Sequence, residues 1–211
     1  MYKRQEANKV LVHEFGSTLF TIAKDVKLQV EFNPAAAKAY RLIGYEKRML
    51  AAEDFNNDKK DAGELGAGHT VTALYEVIPT GSTEPAQGDI DPLKYQQTAT
   101  TNDGILHKEV MTIKLRYKEP DGNESKLIEH PVLGELVALG QTSNNFRFSA
   151  AVAEFGLLLR QSQYMQQSNY QQIETLAKSA KGQDDDGYRG EFIQLVKTAA
   201  DLSTTKTGSE Y

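Results

Sequence analysis

The sequence predicts an α+β fold: an antiparallel β-sheet or sandwich followed by a C-terminal group of about three helices. Three patterns predict it. Val26, Leu28, Val30 and Phe32 alternate with Lys27, Gln29 and Glu31, the period of a strand with one buried face. Asp121-Gly122 separates two alternating runs, which is a hairpin signal. Past Asn145 the period changes, and Phe148, Val152, Phe155 and Leu159 recur at helical spacing. Strands first and helices last is the order of an α+β chain.

Each element has its own signal. Glu6 to Ile22 reads as helical, with Gly16 as a stop and Ser17-Thr18 capping a further turn. The first strand, Val26 to Phe32, ends at Asn33-Pro34. After an Ala-rich connection, Tyr40, Leu42 and Gly44 share one phase of a second strand. Leu50 to Phe55 can close a helical turn, and Asn56, Asn57 and Asp58 favour a turn because their side chains bond nearby backbone. A long strand is predicted from His69 to Ile78, with Val71, Ala73, Tyr75 and Val77 on one face, closed by Pro79-Thr80-Gly81. Gly81 to Gly104 lacks apolar periodicity and reads as a long loop. A hairpin follows: a strand through Val110 to Tyr117, a turn at Pro120-Asp121-Gly122-Asn123 and a return over Ser125 to Ile128. Three helices complete the chain. Ser143 or Asn144 caps the first; the second runs from about Tyr170 to Ala180 with Ile173, Leu176 and Ala177 inward. Asp184-Asp185-Asp186-Gly187 breaks it and sets negative charge at the start of the third, Tyr188 to Leu202. From Ser203 onward the polar sequence reads as frayed.

Composition limits the function classes. At 211 residues with a net charge of -5 and scattered Lys and Arg, the chain lacks the basic stripe that a nucleic acid partner needs. With no cysteine, disulfides, thiolate metal sites and cysteine nucleophiles are excluded. No apolar run approaches the roughly 20 residues of a spanning helix. The opening residues, MYKRQEANK, carry no apolar signal-peptide core.

Catalytic and cofactor templates fail on specific residues. His13-Glu14 begins an HExxH zinc motif, but Ser17 occupies the second histidine position. Asp54-Phe55-Asn56-Asn57-Asp58 opens like an EF-hand loop; Lys59 then replaces the turn glycine, and Leu65 replaces the bidentate glutamate. A looser cation site on Asp54, Asn56, Asp58 and Asp61 is the minor reading, and turn and cap residues in a solvated loop the favoured one. Gly63, Gly66 and Gly68 precede a strand and not a helix, so a phosphate there has no helix N-terminus to meet. The expectation is no catalytic residue, no cofactor and no metal. The candidate interaction element is the acidic loop, Asp54, Asn56, Asp58, Asp61 and Glu64, with charge reversal at Asp58 and Asp61 expected to weaken a partner. The alternative is a hydrolase or ligand-binding site assembled from distant His69, Glu76, His107 and Asp61.

The segments TLFTIAKDVKLQVEFNP, AYRLIGYEKR, AEDFNNDKKDAGELGAGHTVTALYEV, VMTIKLRYKEPDG and FSAAVAEFGLLLRQSQY carry a resemblance. Together they resemble the C-terminal domain of bacterial proteins that contain a von Willebrand factor type A (VWA) domain. The resemblance implies residues 1–33 as the last helix and strand of the VWA domain; the patterns above give 34–142 as a β-rich domain, 143–203 as a helical subdomain packed on it and 204–211 as a disordered tail. The resemblance also implies a parent that is often exported to the periplasm or cell envelope, in some cases as a membrane-anchored lipoprotein. The Asp-x-Ser-x-Ser loop of a VWA metal site does not occur in this chain, so no metal ligand carries over. The function expected is a non-catalytic accessory domain that binds another protein or acts as a scaffold.

Overall fold

The computed structural model describes residues 20–45, 49–83, 109–134 and 136–207. The chain forms two compact units, Met1–Gly134 and Glu135–Tyr211. The first unit holds β1 (Thr21–Phe32), β2 (Ala37–Ile43), β3 (Gly63–Gly66), β4 (Leu74–Pro79), β5 (Glu109–Lys118) and β6 (Ser125–Leu133). The second holds α1 (Asn144–Leu159), α2 (Tyr170–Ser179) and α3 (Tyr188–Thr207). Strands first and helices last make this an α+β fold, as the sequence predicts.

The strands form two antiparallel sheets, one in the order β3-β1-β5-β6 and one pairing β2 with β4. β1 is an inner strand, bonded to β3 on one side and β5 on the other. The division expected at residue 33 therefore does not separate domains, because β1 shares one sheet with strands on the far side of Pro34. β1 also begins earlier than its alternation suggests. Thr21 and Ile22 are strand and Phe20 is irregular where a helix was expected, and residues 6–19 of that expected helix lie outside the described residues.

A corner at Asn33 joins the two sheets. Asn33 donates from Nδ2 to Glu109 O (2.7 Å), and its Oδ1 accepts from Ala35 N (2.9 Å). Its own carbonyl receives the amides of Ala36 and Ala37, which turns the chain straight into β2. The ring of Phe32 then packs 4.4 Å from Tyr40 and 5.5 Å from Tyr75, tying the two-stranded sheet to the end of β1. Burial, with the neighbouring Tyr40, holds the Tyr75 hydroxyl above its ordinary pKa.

The long strand expected from His69 is shorter, and Val71 is exposed. The partner strand explains this. β2 pairs Ile43 with Leu74 and then turns away at Gly44 (φ 76°) and Tyr45 (φ 59°), so among the described residues the ladder has no partner for the residues before Leu74. The glycine-punctuated stretch before that strand, Gly63 to Gly66, is itself a short edge strand on β1. The Asp121-Gly122 hairpin forms as predicted, but β6 runs on to Leu133 and carries Pro131 on the sheet edge, where no ladder donor is required. The expected loop after Gly81 lies mostly outside the described residues.

In the helical unit Ser143 caps α1, its side chain accepting from Phe146 N (3.1 Å). The buried stripe of α1 is not the expected Phe148-Val152-Phe155-Leu159. Ala151 and Phe155 are buried and Leu158 packs beside them, whereas Val152 and Leu159 are largely exposed. Small Ala151 permits the close approach of α2, whose Ile173 and Ala177 are fully buried against it. From α3, Ile193 and Val196 complete the core, and Phe192 meets Phe148 and Phe155 edge-on. α3 continues through Ser203 to Thr207. Among the described residues, no helix is long and apolar enough to cross a membrane.

Arg189 ties the three helices together. Its guanidinium donates to Ala180 O (3.1 Å) and Lys181 O (3.0 Å) at the end of α2, and to Asn145 Oδ1 (2.6 Å) on α1. It also stacks 4.9 Å over the Phe148 ring. Asp184 does the reciprocal work at the start of α3, accepting Arg189 N (2.9 Å) and Gly190 N (2.8 Å). The acidic run before this helix thus caps it through one residue.

Candidate functional site

The acidic loop is a strap laid on one face of the four-stranded sheet. Its attachment begins with a bulge. Between Lys24 and Lys27 the β1–β5 register shifts, and Asp25 takes φ 51°. Lys27 lies opposite Arg116 on β5 and faces the strap, while Leu28, opposite Leu115, faces the other way. Lys27 is 3 % exposed and Leu28 52 %, the reverse of the burial that alternation suggests.

The strap starts with a 3-10 helix at Ala52–Asn56, which drops Phe55 (5 % exposed) onto the sheet beneath the Arg116 guanidinium, 5.6 Å from the ring centre. Three cations then grip it. Lys27 Nζ donates to Asp54 O (3.2 Å) and Asn57 O (2.5 Å). Arg116 donates to Asn56 Oδ1 (3.0 Å) and Ser125 Oγ (2.8 Å). Lys118 Nζ donates to Asp58 O (2.9 Å) and to the Asp25 carboxylate (2.6 Å). Asp25 in turn accepts Ala62 N at the strap's far end (3.3 Å). Asn57 Oδ1 takes Lys59 N, the local turn that Asn residues favour.

Electrostatics follow this geometry. The bond from Lys118 holds Asp25 below the usual carboxylate value, with smaller help from Ala62 N and against the opposing effect of burial. Lys118 is correspondingly held above its ordinary value, first by Asp25 and further by the nearby charges of Asp58 and Asp61.

The five predicted loop residues take different parts. Asp54 gives its carbonyl to Lys27 and its carboxylate to Lys60 (3.4 Å). Asn56, at the surface, accepts from Arg116, and Asp58 gives its carbonyl to Lys118. The side chains of Asp58 and Asp61 stand in solvent, and Glu64 reaches Thr21 Oγ1 at 3.4 Å. Ammonium groups from the sheet therefore occupy the concave side of the loop, where an EF-hand would hold its ion. Among the described residues, no three or more His, Asp or Glu side chains gather as they would around a metal.

The residues of the alternative site are dispersed in role. His69 is exposed, Glu76 is paired with Arg41 across the β2–β4 ladder, and His107 lies outside the described residues. Sequence reasoning missed Lys27, Arg116 and Lys118. Lys and Arg at alternate strand positions read as a solvated face, and only the loop folded over them makes them an interior.

Comparison with known proteins places these features in a family. The family model described as "Uncharacterized protein YfbK, C-terminal" matches residues 17–202. "Uncharacterized protein YfbK" of Escherichia coli (strain K12) is 46 % identical over 194 residues, covering 92 % of this chain and 32 % of the relative. The chain thus spans about a third of the length of that relative. No solved structure matches the chain significantly.

Proposed function

The chain belongs to the YfbK C-terminal domain family, and from that premise we propose that it is a non-catalytic accessory module that binds another protein. The observation that carries this reading is the strap's two-sided construction. Its inner side is occupied by main-chain bonds to Lys27 and Lys118 and by Phe55, while Asp58 and Asp61 project at positions fixed by that anchoring. While the strap is seated, its anchoring presents Asp58 and Asp61 to solvent in a defined arrangement, which favours recognition. The engagement of these same polar groups in holding the strap supports the non-catalytic reading.

The full-length protein, in this reading, joins a VWA domain to this module in the cell envelope, and the module acts as its protein-binding or scaffolding part. A pull-down from the native envelope tests this by comparing the chain with its full-length parent. Both are expected to recover the same protein, and a photo-crosslinker at position 58 or 61 is expected to attach to it. Recovery by the parent alone refutes binding by this module. Charge reversal at Asp58 and Asp61 then separates two modes. Loss of capture marks the carboxylates as the contact, and gain marks the surface beneath them.

A further inference from the structure

Resting on that protein-binding reading, we propose that the strap of residues 52–62 covers a groove for an acidic peptide segment carrying an aromatic residue. The strap is the groove's intramolecular occupant. The floor consists of Lys27, Arg116 and Lys118, brought side by side by the β1–β5 register. Among the described residues, one carboxylate, Asp25, pairs directly with these three cations. Lys27 meets two carbonyl oxygens, and Arg116 meets an amide and a hydroxyl oxygen. Arg116 Nε is buried and, among the described residues, has no hydrogen-bond partner. Lys118 is 9 % exposed.

Lys27 and Arg116 face neutral oxygens, where a carboxylate would repay more of the solvation that a buried cation loses. The floor therefore has unused capacity for anionic acceptors. A carboxylate offered to Lys27 or Arg116 makes a charge-assisted bond in place of a neutral one. The strap itself shows which peptide fits. It is acidic, it offers its backbone oxygens to the lysines, and it places one aromatic ring under the guanidinium. Its own hold is limited. Between residues 53 and 61 only Phe55 is buried and the other residues are exposed or half-buried, the composition of a segment that opens locally. A competing segment with carboxylates at the right places takes the floor when the strap lifts.

The test uses the full chain, its Phe55→Ala variant and a fluorescent peptide with the sequence of residues 51–62, followed by anisotropy. Raising the open fraction of the strap raises apparent affinity in proportion, so Phe55→Ala is expected to bind the peptide at least about tenfold more tightly than the parent. Adding Lys27→Met is expected to abolish that gain. Asp58→Lys with Asp61→Lys also strengthens peptide binding, because two new cations beside Lys118 loosen the strap. Equal affinity in parent and Phe55→Ala, with the circular dichroism of the sheet unchanged, overturns the proposal.

If Phe55→Ala does not fold, hydrogen exchange of the unaltered chain decides. The amides of Lys60 and Ala62 are expected to exchange at least about 100-fold faster than those of β5, and equal protection refutes a lifting strap. A cellular partner that is captured but never crosslinks to the strap, together with failure of the peptide to bind, overturns this inference and leaves the protein-binding reading standing.

Discussion

Replacing Asp184 by Ala removes the cap of α3, and the structure sets the size of the effect. The carboxylate accepts two of the amides that the first turn of a helix leaves without intrahelical partners, at 2.9 and 2.8 Å. Its side chain is 7 % exposed, and Lys181 Nζ lies 3.6 Å away. Loss of an N-terminal cap costs about 0.5–2 kcal/mol. A buried charged acceptor places Asp184→Ala at the upper end, about 2 kcal/mol, because water reaches the stranded amides poorly. For a unit of this size that is a fall in Tm of roughly 8–16 °C. Asp184→Asn keeps an acceptor and the shape but loses the charge, and falls between the two.

The pH dependence has a definite sign. Burial is the largest single influence on Asp184 and pushes its pKa up, but the Arg189 and Gly190 amides, with Lys181, together outweigh it and hold the carboxyl below its ordinary value. A lowered folded pKa means that the contribution is complete above the ordinary carboxylate range and is lost as the pH falls through the folded value. Urea unfolding followed by far-ultraviolet circular dichroism should therefore show parent and Asp184→Ala furthest apart near neutrality and converging below about pH 4. A difference under about 0.5 kcal/mol at neutral pH, or one that does not shrink in acid, refutes the assignment of Asp184 as the cap.

Four further outcomes are expected. Ile173→Ala, at a position with no exposed surface, should cost about 3–4 kcal/mol. Leu28→Ser, half exposed on an inner strand, should cost about 1 kcal/mol or less, and equal losses in urea unfolding would contradict the burial described. Arg189→Lys should destabilise the helical unit by about 1–2 kcal/mol, since one ammonium cannot reach both α2 carbonyls and Asn145 while stacking on Phe148. An unchanged melting curve would show that the guanidinium is dispensable. Lys118→Met should flatten the acid limb of the stability–pH profile. Asp25, held low chiefly by Lys118, contributes above the ordinary carboxylate range and loses that contribution as acid protonates it. Urea midpoints measured across pH check this, and a limb as steep as the parent's refutes it.

The sequence by itself determined the class of the fold, because its signals are local. Alternation in Lys27–Phe32, Asp-Gly at 121–122, Ser143 before α1 and the acidic run before α3 each act within a few residues, and each element formed where its signal stands. The turn chemistry at Asn33 and Asn57 is local in the same sense, as is the helical turn at Ala52–Asn56.

Which side of a strand is interior was decided only by the tertiary structure. Period two marks two faces but does not say which one another segment will cover. At Lys27 and Leu28 the bulge at Asp25 and the strap reversed the expected answer, so a lysine became interior and a leucine stayed wet. The ends of β4 were likewise set by where β2 turned away, and the stripe of α1 by where small Ala151 let α2 approach. The strap site itself joins residues 25–27, 54–62 and 116–118, and no short-range pattern links those stretches. Their meeting depends on strand register and loop closure, which are long-range terms in the folding free energy and leave no periodic trace in the chain.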